Sequence, residues 1–285
     1  MKIFKNHPLA PYTTVKIGGP ADTFITTNTT EEFINALKKY SSNPLTILGN
    51  GSNVLISDSG IRGTVIKNLS KNTEYLPDNK VKVDSGVQLA FLISDSISHS
   101  LSGLEEFAYI PSTIGGAIYG NIHGVNKNNF DKFITEIEVF DLNTETLKHF
   151  LANQLNWSYD TSEFKSHPEW IILSATLQLS LGDSQKSQQI VTDIISKKTI
   201  TQSMNSLGSV FKNPQNDSAG RIIDQELHLK SFQIGDAQIS PKHGNFILNL
   251  GHATAADYST LIQKIQSEAK EKGFILEPEI KFLGF

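Results

Sequence analysis

The stretch Thr46-Ile47-Leu48-Gly49-Asn50-Gly51-Ser52-Asn53-Val54-Leu55-Ile56 runs from one strand-like apolar segment through five small residues into another. Glycines in such a run let successive backbone N–H groups converge on an anion, and Ser52 and Asn53 add side-chain donors. A dinucleotide fold or a P-loop needs a helix directly after its glycines. Here a second strand and a turn at Ser57-Asp58-Ser59-Gly60 follow, which argues against a Rossmann architecture. An ordinary hairpin turn explains the same residues equally well.

The rest of the chain alternates short strand-like runs with a few helices. Thr29-Thr30-Glu31-Glu32 has capping-box spacing ahead of Phe33, Ile34 and Leu37 on one helical face. Thr254 and Asp257 cap a second helix, whose stripe is Tyr258, Leu261, Ile262, Ile265 and Ala269 and whose end is Gly273. A third is expected over 188–198, burying Ile190, Val191, Ile194 and Ile195. Strands are expected at 45–48, 54–56, 64–66, 80–83, 135–140, 170–179, 246–248 and 279–283. Without a strict βαβ period the fold class is α+β. The polar run Gly182-Asp-Ser-Gln-Lys-Ser187 is the best boundary candidate.

Composition narrows function. The 285 residues suggest about two domains at roughly 150 residues each. A net charge of −4 leaves no basic excess for a nucleic-acid backbone, so no nucleic-acid partner is expected. There is no cysteine, which excludes disulfides, thiolate nucleophiles and Cys-ligated metals. No apolar run approaches the ~18 residues of a membrane span, and residues 1–8 lack a signal-peptide core; a cytoplasmic protein without membrane contact is expected. The eight histidines show no metal-ligand spacing, so no metal is expected. Only Arg62 and Arg221 carry guanidinium groups, so few side chains offer the fork that binds carboxylates and phosphates.

Three further segments hold chemistry. Ile110-Pro111-Ser112-Thr113-Ile114-Gly115-Gly116-Ala117 is read either as a helix start whose first N–H groups face a phosphate or flat ring, or as a tight turn requiring glycine. Leu207-Gly208-Ser209-Val210-Phe211-Lys212-Asn213-Pro214 offers a hydroxyl, an amine and an amide, but no Gly-x-Ser-x-Gly elbow. In Leu276-Glu277-Pro278-Glu279-Ile280-Lys281-Phe282, strand spacing puts Glu277 and Glu279 on one face.

Taken in order, these segments resemble the UDP-N-acetylenolpyruvoylglucosamine reductases. The resemblance extends from Tyr12-Thr-Thr-Val-Lys-Ile-Gly-Gly-Pro-Ala21 to Leu276–Gly284, through Ser218-Ala-Gly-Arg-Ile-Ile-Asp224 and Gly235-Asp-Ala-Gln-Ile-Ser-Pro-Lys-His-Gly-Asn-Phe246. It implies an FAD-binding region of the vanillyl-alcohol-oxidase (PCMH) type in two subdomains, 1–70 and 71–185, and an α+β substrate-binding domain over 186–285. The length is similar to that of the family's compact subtype. Non-covalent FAD, with NADPH as co-substrate, is implied to reduce an enolpyruvyl nucleotide sugar for peptidoglycan synthesis, in a protein expected to be a monomer. By resemblance Gly49, Asn50, Gly51, Ser52, Asn53, Ile110, Pro111, Thr113, Gly115 and Gly116 hold the flavin. Ser209 matches the proton donor and Glu279 the catalytic carboxylate, while Tyr159, Lys212 and Asn213 match substrate contacts. Lys197 and Lys198 are further candidates for the substrate diphosphate.

Three departures from the pattern stand out. The family places an arginine after the tyrosine of Trp157-Ser158-Tyr159-Asp160-Thr161-Ser162-Glu163-Phe164, and here that residue is Asp160. Lys16 replaces an arginine usual in the first motif, and an Asn-Ala-Gly-Ala-like stretch reads Asn121-Ile122-His123-Gly124-Val125. Asp160 is expected to point away from substrate, with Lys165 or Lys212 supplying the missing charge. The alternative is an FAD protein of the same fold with altered redox activity.

Overall fold

The computed structural model describes residues 1–203 and 205–285. Its chain forms two compact units, one of residues 1–3, 25–49 and 65–197, the other of residues 4–24, 50–64 and 198–285. The strands Lys2–Pro8, Pro20–Thr27, Ile61–Asn68 and Leu45–Ile47 pair in that order, and within the first three the chain passes from one unit to the other. Strands and helices mix without a βαβ period, so the α+β reading holds.

The first unit is built on an antiparallel sheet in the order Thr146–Leu151, Ile134–Asp141, Trp170–Gln178, Lys80–Asp84, Thr73–Leu76. Its central strand reads Trp-Ile-Ile-Leu rather than alternating because both faces are covered. Ile172, Ala175 and Leu177 join a core with Leu89, Leu92, Phe107, Phe130 and Phe164. Leu173 instead joins Phe33, Leu37, Ile66 and Phe140, where the helix Thr30–Tyr40 packs. That helix starts as its capping box dictates, with the Thr29 hydroxyl accepting from the Glu32 N–H and Glu32 accepting from the Asn28 N–H.

In the second unit Tyr258, Leu261, Ile262, Ile265 and Ala269 of the helix Ala255–Glu271 are all buried, as their spacing requires. They pack on the antiparallel sheet Gln233–Ile234, Ala237–Ile239, Ile247–Asn249 and on Phe211, Ile222 and Ile223. Thr254 and Asp257 close the capping box, and the Asp58 carboxylate accepts from the N–H groups of Ala255 and Ala256 at 2.8 and 3.0 Å. A carboxylate at that end complements the helix dipole. The terminal strand Lys281–Leu283 lies parallel to Val54–Ile56.

One expectation needs correction. The third helix exists, over Ser184–Thr201, but its apolar stripe is not a buried face: Ile190 is 45 % and Ile195 41 % exposed. The residue it buries is Ser187, whose hydroxyl donates to Glu105. The 182–187 run is itself structured. Asp183 accepts from the Lys186 N–H, and Ser184–Ser187 form the helix's first turn.

Candidate functional site

In the second unit, hydrogen bonds gather three separated motifs. Strand pairing of 54–56 with 281–283 brings the Lys281 N–H to the Asn53 carbonyl at 3.0 Å, and the Asn53 amide donates to the Glu279 carbonyl at 3.4 Å. One step back, the terminal segment pairs with the serine loop. The Glu279 N–H donates to the Val210 carbonyl at 2.8 Å and the Lys212 N–H to the Glu277 carbonyl at 2.9 Å. Ser209 thus sits next to the residue that holds the backbone of Glu279, 70 positions away in sequence. Thr14 adds a brace, its N–H donating to the Gly51 carbonyl and its hydroxyl to the Ser206 carbonyl.

The small-residue loop is anchored through its carbonyls. Gly51 gives its oxygen to Thr14 and Asn53 to Lys281, while no described residue accepts from the N–H groups of Gly51, Ser52 or Asn53. Adjacent amides left over in this way suit phosphate oxygens. Gly51 has φ +63°, and a Cβ there would lie 2.4 Å from the Tyr12 carbonyl oxygen. The loop can take this path only with glycine.

Around Ser209 the backbone is spoken for and the side chain is not. The turn is held by the Ser206 hydroxyl, which accepts from the Gly208 N–H, and by Asn245, which receives the N–H of Phe211. The Ser209 hydroxyl bonds to no described residue, and a Cβ on Gly208 would meet open space. Glu279 is half-buried. Lys212 pairs with Glu277 at 2.7 Å, and the Asn213 side-chain oxygen accepts from the Ala219 N–H, which leaves its amide nitrogen as the group to offer a ligand. Both arginines are engaged, Arg62 with Asp22 and Arg221 with Asp217 and Glu226. Arg221 holds the Asp217 carboxyl at about 2, below the usual carboxylate range.

In the first unit, Thr113 caps the short helix Ile114–Gly120, accepting from the Gly116 N–H. The other early N–H groups are spent on the protein: Ile114 donates to Val87, Gly115 to Ser85 and Ala117 to Thr113. The segment therefore does start a helix, with its first N–H groups turned toward the protein, and a Cβ on Gly115 would press on Ser85 at 3.0 Å. Ile110 is half-buried and Pro111 exposed.

Lys67 carries no signal in the sequence pattern. It donates to the Gly49 carbonyl, and burial lowers its ammonium from the usual 10.5 to about 8. That drop corresponds to about 3 kcal/mol at neutral pH. A lysine whose pKa falls on folding opposes folding fully below pH 8, and the opposition fades as pH rises toward 10.5. Lys67→Met is therefore expected to raise the melting temperature at pH 7, with the gap narrowing by pH 10. An unchanged gap across that range in calorimetry would contradict this account.

Tyr159 and Asp160 are the two turn residues of a hairpin pairing Trp157 with Ser162 and Ser158 with Thr161. The Asp160 side chain is largely shielded from solvent and meets His123: its Oδ1 lies 2.7 Å from Nδ1 of that ring. Of the two candidate lysines, Lys165 donates to the Asp160 carbonyl and Lys212 to Glu277. Two of the sequence departures are thus one bonded pair. An acid and an imidazole appearing together where the motifs carry neither was the available signal.

The family profile described as "UDP-N-acetylenolpyruvoylglucosamine reductase, C-terminal domain" matches residues 199–283, and one described as "FAD binding domain" matches 21–150. The UDP-N-acetylenolpyruvoylglucosamine reductase of Caldanaerobacter subterraneus subsp. tengcongensis is 36 % identical over 99 % of this chain and 94 % of its own. The chain belongs to the UDP-N-acetylenolpyruvoylglucosamine reductase family. The reductase of Chlamydia felis is 37 % identical over 97 % of this chain and 93 % of that protein. The crystal structure of the Thermus caldophilus reductase superposes with a TM-score of 0.84 at 31 % identity, covering 99 % of this chain and 98 % of the other. No helix among the described residues is long and apolar enough to cross a membrane.

Proposed function

We propose that this chain reduces UDP-N-acetylglucosamine enolpyruvate to UDP-N-acetylmuramate with NADPH, through FAD, in the synthesis of peptidoglycan precursors. The observation that carries this reading is the match to the reductases along the whole chain, with the structure of one relative followed from end to end. The gathering of the 50–53 loop, Glu279 and the Ser209 turn supports it. The division into flavin subdomains 1–70 and 71–185 and a substrate domain 186–285 belongs to the same reading. So do a cytoplasmic monomer and a place in cell-wall supply during growth and division.

The residues fit an FAD molecule. Amides of Gly51, Ser52 and Asn53 would hold its diphosphate, with Gly49 and Asn50 completing the loop; Ile110, Pro111, Thr113, Gly115 and Gly116 are the further flavin contacts of this reading. FAD held there would supply hydride chemistry, with NADPH as the source and C3 of the enolpyruvyl group as the acceptor. Charge then accumulates on C2 and the carboxylate of the substrate. Ser209 gives its proton to C2, a basic enolate carbon, and Glu279 polarises the group and helps its protonation. Tyr159, Lys212 and Asn213 bind the substrate.

The test is an anaerobic titration. NADPH is expected to bleach the flavin absorbance of the purified protein, and one equivalent of the enolpyruvyl nucleotide to restore it. A flavin that stays bleached in excess substrate would favour the altered-activity reading instead.

A further inference from the structure

Lys67 lies one residue from the end of the strand Ile61–Asn68, beside two of the segments that the functional reading assigns to flavin. The Leu48 N–H donates to the Ile66 carbonyl at 2.9 Å, which brings Lys67 alongside Gly49. Ile66 is buried with Phe33 and Leu37, so strand alternation turns Lys67 to the opposite face. One residue on, the Asn68 amide donates to the Ser85 hydroxyl at 3.0 Å, and the Ser85 carbonyl accepts the Gly115 N–H at 2.8 Å. A Cβ on Gly49 would lie 3.0 Å from the Thr113 hydroxyl oxygen. The end of this strand is thus where Gly49 meets the 113–115 segment.

What the Lys67 ammonium finds there does not balance it. It has three N–H donors, and among the described residues only the Gly49 carbonyl accepts one. No described carboxylate pairs with it, and burial is what lowers its pKa to about 8, so at pH 7 it is still mostly charged. A lysine stem is long enough to carry its charge out to water. This one is half-buried and turned onto a neutral carbonyl, at a cost to stability. A cation held in that way, with two spare donors and no counter-charge, is completed by an anion.

We propose that Lys67 is a cofactor-binding residue whose ammonium pairs with a phosphate oxygen of FAD. The inference rests on the FAD-dependent reading above, in which Gly49 opens the loop whose next amides hold the diphosphate. It gives the buried charge a reason. The ammonium opposes folding of the empty protein, and the opposition is offset when the anion arrives. Lys67 therefore acts in opposite directions on the empty and the loaded protein, which a lysine with a purely structural role does not do.

The test compares Lys67→Met with wild type in two measurements. Holoenzyme is dialysed at pH 7 against falling concentrations of FAD, and the flavin retained is read by absorbance. The variant is expected to need 10- to 100-fold more FAD to stay half loaded, the worth of one hydrogen bond to a charged group. Melting is then followed at the same pH with flavin removed and with FAD in large excess. Without flavin the variant is expected to melt higher; excess FAD raises wild type more than the variant, so the gap narrows or reverses. Equal half-loading, with the same melting gap in both conditions, overturns the proposal and leaves Lys67 a structural residue. Equal half-loading with a lowered flavin midpoint potential puts the ammonium at the ring and overturns the phosphate assignment. A wild type that holds no flavin at any concentration sinks the functional reading and this inference with it, whereas a variant loaded as tightly as a flavin-holding wild type sinks this inference alone.

Discussion

Ser209→Ala is expected to leave reduction of the flavin by NADPH nearly intact and to slow the substrate-dependent recovery of flavin absorbance by about two to four powers of ten, the usual worth of a positioned general acid. The proton is needed only after hydride has reached the substrate, so the first phase does not depend on it. Substrate affinity is expected to change little, since a group acting in the transition state adds little ground-state binding. The competing account makes Ser209 a turn-capping residue whose loss would loosen the loop and slow both phases. In the structure that work belongs to Ser206 and Asn245, and the Ser209 hydroxyl bonds to no described residue. Its removal is therefore expected to cost little stability. Stopped-flow absorbance on the variant decides the matter: equal slowing of both phases, or normal recovery, would remove Ser209 from the mechanism.

What could be read from the sequence follows from how local its causes are. The helices at 30–40 and 255–271 are written in their own caps and stripes, and the strands at 54–56 and 170–178 in their own apolar runs. The stripe of Ile190, Val191, Ile194 and Ile195 has the same local form, yet burial depends on what lies opposite, which periodicity does not encode. The helix Leu89–Ser98 was missed for the converse reason: Ala-Phe-Leu-Ile is apolar on all sides and carries no polar N-cap bond. At the site, each motif could be found by eye, but their meeting could not. The contact of Glu279 with Val210 and that of Asn53 with Glu279 join positions that local rules never relate. His123 was visible only as a departure, because its meaning lies in Asp160, which the fold brings from 37 residues away.

Gly51→Val is expected to lower FAD affinity at least 100-fold, and for a reason that lies inside the protein. From sequence alone, a valine would act by blocking the approach of the diphosphate. In the structure its Cβ meets protein first, 2.4 Å from the Tyr12 carbonyl oxygen and 2.9 Å from the Thr13 Cα. These are backbone atoms, unable to swing aside as a side-chain tip would. A β-branched residue also resists φ +63°, the left-handed region that costs even an ordinary L-residue about 1–2 kcal/mol. The loop must take another path, breaking the bond from the Thr14 N–H to the Gly51 carbonyl and scattering the amides of Ser52 and Asn53. Gly208→Ala separates strain from collision, since Gly208 has φ +76° but nothing within 4 Å of a Cβ. That variant is expected to melt slightly earlier and to keep its flavin. Binding titrations followed by flavin fluorescence read both, and retention by Gly51→Val within threefold of wild type would show that these amides do not hold the cofactor. With no cysteine in the chain, acid precipitation of the wild type is expected to release all the flavin into the supernatant, and flavin remaining in the pellet would mean a covalent link through another side chain.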